Sequence, residues 1–379
     1  MPRPIFASIN CVALSENLAS VKQTLSRAQP EGQSPPKTWA VVKADAYGHT
    51  IEAAVHGFAA ADGLALLDFE EATRARQLGW VKPILMLEGA FDHSDIPVAQ
   101  ALGLTLVVHE ASQLALLTAG PLAEPLNVYL KMNTGMHRLG FEPSEYRHAF
   151  DSLQDLARVG TVRDITHMTH FSCAERADGI EAPMAQFLRV VAGLPGDWCV
   201  SNSAATLAHS TAIALRWAPT GAIVWTRPGI CLYGGSPLVE QSAADLGLHN
   251  AMTLRSELIS IRQVRAGDGV GYGHTFVAPK DMRIGVVACG YADGYPRHAP
   301  TGTPIGLDGK RAALVGRVSM DMITVDLSNH PQAQVGDVVV LWGDGGPTAD
   351  DVAQCASTIS YELLTAVTAR VPRRLIYSR

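Results

Sequence analysis

Lys43 sits in Val41-Val42-Lys43-Ala44-Asp45-Ala46-Tyr47-Gly48-His49, at the end of a continuous apolar run. Lysines are seldom buried without a partner. Desolvation and neighbouring cations favour the neutral amine, a nucleophile that forms Schiff bases with aldehydes. A lysine that only snorkels to the surface would look the same in isolation. Two later segments supply company. Ser201-Asn202-Ser203-Ala204-Ala205 offers hydroxyls at a helix start, and Arg227-Pro228-Gly229-Ile230 offers a glycine that lets backbone approach closely. Both suit a phosphate, although Ser203 could equally cap the helix it opens. A phosphate-bearing aldehyde would engage the lysine and both loops; aldolase-type barrels share that signature.

Eight short runs rich in Val, Ile and Leu must position these groups: Trp39–Lys43, Leu64–Leu67, Ile84–Leu87, Thr105–Val108, Val128–Lys131, Ile165–His170, Cys199–Ser203 and Ile223–Thr226. Continuous apolar strands of this kind are covered on both faces, as in parallel sheets. Helical patterns fill the gaps. Asp68 with Glu71 three residues on reads as a capping box, and Gly79 closes that helix. From about Pro183, Met184, Phe187, Leu188 and Val191 share one helical face, with Gly193 after them. Eight strands alternating with helices predict an α/β fold whose N-terminal part is a (β/α)8 TIM-type barrel. Such barrels work at the C-terminal ends of their strands. The polar residues there are Lys43, Lys131, Arg138, His170, Asn202, Ser203 and Arg227, a mostly cationic mouth suited to an anion.

The pattern changes near residue 246. Short strand-like runs with Gly turns follow, and Asp308-Gly309 between two of them predicts a hairpin. A final helix is expected over about Ala349 to Arg370. The expected domains are therefore a barrel over 1–245 and a C-terminal mostly-β domain over 246–379. Gln29–Pro36 reads as a surface loop. Hydrophobic residues make up 47% and charged residues 17% of the 379 residues, below the usual charged share of about 25%. The excess of buried surface is compatible with a subunit interface. A net charge of −6 gives no reason to expect nucleic acid or an anionic membrane. No apolar stretch approaches the roughly 20 residues that span a bilayer, and the N-terminus shows no signal peptide, so a cytoplasmic protein is expected. The six cysteines have no metal or disulfide spacing, and no metal is expected.

The motif Val41–His49 resembles the cofactor-lysine segment of the alanine racemase family. The likeness continues in order. Lys131-Met-Asn-Thr-Gly-Met-His-Arg-Leu-Gly140 is similar to its substrate-binding segment, and Met168–Phe171, Ser201–Thr206 and Arg227–Gly234 to its cofactor loops. Val270–Gly273, Gly290–Arg297 and Gly316–Met322 are similar to its second-domain motifs. The resemblance implies a pyridoxal 5'-phosphate enzyme that interconverts L- and D-alanine, with D-alanine serving peptidoglycan or being catabolised. It implies a homodimer with active sites at the interface. It makes Lys43 the imine-forming lysine and Tyr272 the opposed base. It assigns Tyr47, Ser203, Gly229, Ile230 and Tyr361 to the phosphate, Arg227 to the pyridine nitrogen with His170 beside it, and Asn202 to the cofactor loop. Arg138 and Met320 match substrate-binding positions, with Tyr291 and Asp321 supporting. Lys131 matches a lysine that some members carbamylate. The run Ser172–Arg176 departs from the family pattern at the pocket edge. The alternatives are a broader amino-acid racemase, acting on serine for example, and a non-catalytic pyridoxal-phosphate carrier. A carrier would stop near residue 240, and a related decarboxylase would put an acid where Arg227 stands.

Overall fold

A computed structural model describes residues 3–29, 34–118, 124–211 and 221–378. The eight parallel strands close into a barrel. They are Lys37–Val41, Gly63–Leu66, Ile84–Met86, Leu104–Val108, Leu126–Lys131, Val162–Met168, Asp197–Ser201 and Val224–Thr226. The last pairs with the first, Lys37 opposite Trp225 and Thr38 opposite Thr226. Its lower end is filled by aromatic rings. Trp39 stacks on Trp225 with centroids 4.4 Å apart and donates from Nε1 to Tyr129 Oη at 3.1 Å. With that end plugged, the residues beyond the opposite strand ends face a cavity.

The second body is an eight-stranded sheet, mostly antiparallel. The predicted hairpin joins Pro304–Leu307 to Lys310–Leu314, with φ of 50° at Asp308 and 67° at Gly309. Two positive values suit the type I′ turn that matches strand twist. The sheet also takes in the N-terminal strand Phe6–Asn10, antiparallel to Met252–Val264 and parallel to Arg373–Ile376. The chain thus starts in the β body before building the barrel. Asn10 then caps the helix Cys11–Arg27, its Oδ1 accepting from Val12 N and Ala13 N at 3.0 Å.

Several local expectations are corrected. The helix Phe69–Gln77 does have Asp68 as its cap, but Glu71 does not complete a capping box; its carboxylate accepts from Asp45 N at 2.6 Å instead. In the helix Glu181–Val191, Met184, Phe187, Val190 and Val191 are buried and Leu188 is half-buried. The expected terminal helix is two, Ala349–Cys355 and Ser360–Ala366, broken where Ser357 takes a φ of 55°. Half of the Gln29–Pro36 loop, residues 30–33, lies outside the described residues. The six cysteines are free thiols. Among the described residues no helix is long and apolar enough to cross a membrane, and no cluster could hold a metal.

Two buried histidines give the fold an acid limit. His49 donates from Nδ1 to Tyr47 O at 2.9 Å, and His167 Nε2 faces Pro195 O at 3.2 Å. Burial lowers both to about 4. The unfolded chain binds these protons near 6.5, so their contribution is full above that pH and is lost as pH falls toward 4. The expected loss is on the order of 3 kcal/mol for each histidine. The urea midpoint should therefore drop between pH 7 and 5, and drop less in His167→Gln. An equal fall in the variant would count against this origin.

Candidate active site

Lys43 follows the first strand by two residues and enters an unusual turn. Ala44, Asp45, Ala46 and Tyr47 have φ between 49° and 57°, and Gly48 follows at 77°. Four consecutive non-glycine residues are left-handed, at a cost of about 1–2 kcal/mol each. The turn is held from several sides. Ala46 N donates to Val42 O at 2.8 Å, and Thr50 N to Asp45 O at 2.8 Å. Asp45 Oδ1 accepts from Ile51 N at 2.9 Å. Tyr233 stacks on Tyr47 at 4.6 Å and donates to Val41 O at 2.9 Å. A side chain at Gly48 would strike Leu364 O, so this turn is pressed onto the helix that carries Tyr361.

Lys43, Tyr47, Lys131, Arg138, His170, Asn202, Ser203, Arg227, Gly229 and Tyr361 line one cavity of about 760 Å³. Ile230 is buried just behind Gly229, at the start of the 3-10 turn Ile230–Tyr233. The cavity lies at the C-terminal strand ends. Ser203 does not cap its helix. Asn202 does, accepting from Ala205 N at 3.0 Å and donating to Phe171 O at 3.0 Å. Ser203 Oγ is thereby free to accept from Gly229 N at 2.7 Å, tying the last two barrel loops together. Gly229 is required here, because a Cβ would lie 2.4 Å from Tyr47 Oη. Three hydroxyls, on Tyr47, Ser203 and Tyr361, thus meet around a bare backbone.

Arg227 is buried and fully directed. Its Nη1 donates to Cys199 O at 2.7 Å and Cys199 Sγ at 2.9 Å, and its Nη2 to Thr169 O at 2.6 Å. His170 Nδ1 lies 3.3 Å from Nη2, and because a guanidinium only donates, that nitrogen is the acceptor. Arg138 is carried on a loop closed by Phe141 N to Lys131 O at 2.9 Å and by Asn133, which accepts from Gly135 N and His137 N. Four cations therefore crowd one mouth. Burial, then Arg138, lowers Lys43 below its ordinary range, with Glu88 opposing. Burial, then Arg227 and Arg138, brings Lys131 down to about 7. Burial and the same cations hold His170 neutral, well below its usual value. Burial pushes Tyr47 and Tyr361 the other way, so both stay protonated donors.

Glu88 lines the cavity without having been singled out from the sequence. The signal was present, since it follows the strand Ile84–Met86 by two residues, but a search for cations passes over it. Ser172 and Glu175, from the segment that departs from the family pattern, also line the edge. Tyr272, Met320, Tyr291 and Asp321 do not line this cavity. They belong to a separate surface of the β body. Tyr272 is 73% exposed, Met320 53%, Met322 44% and Tyr291 38%. Tyr291 N and Ala292 N donate to Ser319 O and Met320 O at 3.1 and 3.0 Å, so these two segments form one face. Asp321 anchors it, pairing with Arg370 at 2.7 Å and Arg3 at 3.7 Å.

Residues 9–237 match the family model "Alanine racemase, N-terminal domain" and residues 251–375 match "Alanine racemase, C-terminal domain". The chain is 51% identical over 375 residues to the alanine racemase of Bordetella avium, covering 99% of each. It is 49% identical to that of Ralstonia pickettii, over 98% of this chain and 95% of the other. Among solved structures it resembles the biosynthetic alanine racemase of Pseudomonas aeruginosa, with a TM-score of 0.90, 43% identity, and coverage of 99% and 100%.

Proposed function

The chain belongs to the alanine racemase family, and from that membership we propose how its own residues carry the reaction. The activity is that of an isomerase, interconverting L- and D-alanine. The observation that supports the residue assignments most is the meeting of a depressed lysine with three hydroxyls and a bare glycine in one cavity.

This donor set fits pyridoxal phosphate. Its phosphate would be held by Tyr47, Ser203, Tyr361 and the Gly229–Ile230 backbone, with Asn202 fixing the loop. Its aldehyde would be held by Lys43 and its ring nitrogen by Arg227, with His170 behind. When bound, the cofactor supplies an electron-poor ring that stabilises negative charge at the substrate's α-carbon. The residues do the rest. Arg138 presents a planar fork to the substrate carboxylate. The Lys43 amine would move a proton at one face of the α-carbon. Arg227 has donors only, so the ring nitrogen gains no proton from it; a carboxylic acid there would supply one and widen the range of reactions.

Inversion needs a second base on the opposite face. We assign it to the partner subunit's Tyr272, with the partner subunit's Met320 closing the substrate site. The exposure of Tyr272, Met320, Met322 and Tyr291 on the β body supports a homodimer, because exposed apolar clusters mark interaction surfaces. Lys131, partly neutral near pH 7 and ringed by cations, is set to take up carbon dioxide as a carbamate with loss of a proton. That would turn a repelled cation into an anion for Arg138. We place the domain division at 245/246, with the strand Phe6–Asn10 lending itself to the second body's sheet.

The test is a chiral assay of the purified protein with and without added pyridoxal phosphate, against both enantiomers of alanine and serine. Cofactor-dependent conversion of either alanine to an equal mixture is expected, with serine slower. Cofactor retained without any interconversion would instead fit a carrier.

A further inference from the structure

In the left-handed turn after Lys43, Ala46 N and Gly48 N bond within the local ladder, to Val42 O and Ala44 O. Asp45 N receives its acceptor from outside, from Glu71 Oε1 at 2.6 Å. Glu71 lies in the helix Phe69–Gln77, which follows the second barrel strand. The contact therefore ties two successive βα units at the point where the lysine leaves the first. Glu71 Oε2 is buried and has no hydrogen-bond partner. A residue serving only its own helix would reach back to Asp68 N and stay in water, as capping boxes do. Glu71 forgoes that bond and takes up a half-satisfied buried position, which buried polar groups normally avoid.

We propose that Glu71 is a positioning residue for the Lys43 amine: its grip on Asp45 N fixes the left-handed turn Ala44–Tyr47 and so sets how Lys43 and the Tyr47 hydroxyl enter the cavity. The proposal rests on the reading of Lys43 as the working amine. Four consecutive non-glycine residues in the left-handed region are disfavoured backbone, and such strain persists only where surroundings over-determine it. His49 fixes the far end of the turn through Ala46 O and Tyr47 O at 3.1 and 2.9 Å. Glu71 fixes the near end, next to the lysine. Loss of the clamp lets the first two residues relax, and a base displaced by about 1 Å loses up to 100-fold in rate.

The test compares Glu71→Ala, Glu71→Gln and Glu71→Asp as holoenzymes. Hydrogen exchange at the Asp45 amide, read by mass spectrometry on the peptide that contains it, should accelerate in Ala and Asp and stay slow in Gln, which keeps an oxygen at the same reach. The Ala variant should lose about 10- to 100-fold in kcat with KM for alanine nearly unchanged, and Gln should recover most of it. Asp, one methylene short, should behave as Ala does and serves if Ala fails to fold. Unchanged Asp45 exchange in Ala and Asp, or Gln as impaired as Ala, would overturn the proposal. An inactive parent enzyme would refute the reading of Lys43, while the exchange comparison would still test the clamp.

Discussion

Replacing Lys43 with alanine is expected to reduce racemisation in both directions by about 10⁴-fold or more, since one group loses two roles. In the proposed reading the amine holds the cofactor and then moves a proton, and among the lining residues only Lys131 could stand in. Lys131 emerges from the opposite side of the barrel, at the end of the fifth strand. It is held by Phe141 N donating to Lys131 O at 2.9 Å, so its backbone cannot shift to the first strand's position. Two measurements check this: a chiral assay of the variant, and borohydride reduction of the parent followed by peptide mapping. The map should place the cofactor on the peptide containing Lys43. Attachment at Lys131, or a variant retaining a tenth of the activity, would move the working amine elsewhere.

Changing Tyr272 to phenylalanine should give an asymmetric result. The equilibrium constant between enantiomers is unity, so net racemisation must fall equally in both directions, by about 10²–10⁴-fold for a lost general acid–base group. Exchange of the α-proton with solvent deuterium is not so bound. Lys43 still serves its face, so one enantiomer should continue to exchange without inverting while the other nearly stops. Equal loss of exchange from both would show that Tyr272 is not a base for one face. Folding should be unaffected, because this side chain is 73% exposed.

The barrel is legible in the sequence because each strand is a short run of large apolar residues, and every such run falls within a few positions of an observed strand. What the sequence hides is non-local or unusual backbone. Nothing in Phe6–Asn10 announces pairing with residues more than two hundred positions away. Ala44-Asp45-Ala46 reads as ordinary helix former, and contacts from Glu71, His49 and Tyr233 help hold it left-handed. Glu71 is hidden for the same reason, since local spacing favours a capping box and the fold diverts its carboxylate to Asp45 N. Ser357 splits the last helix with no glycine or proline to mark the break. In the site, the strand-end cations and the Ser203 and Gly229 loops could be found from position alone. Tyr272 and Met320 could not, because they lie in another body on an exposed face; only the family motifs single them out.

That exposed face carries the central claim, that a working site needs Lys43 from one subunit and Tyr272 from its partner. Mixing Lys43→Ala and Tyr272→Phe chains, each inactive alone, tests it directly after dissociation and reassociation. A hybrid dimer would hold one site with both residues intact and one with neither. With random pairing, about a quarter of parental racemase activity should return. If both residues served a site within one chain, no combination of these subunits would restore one, and the mixture would stay as inactive as its parts.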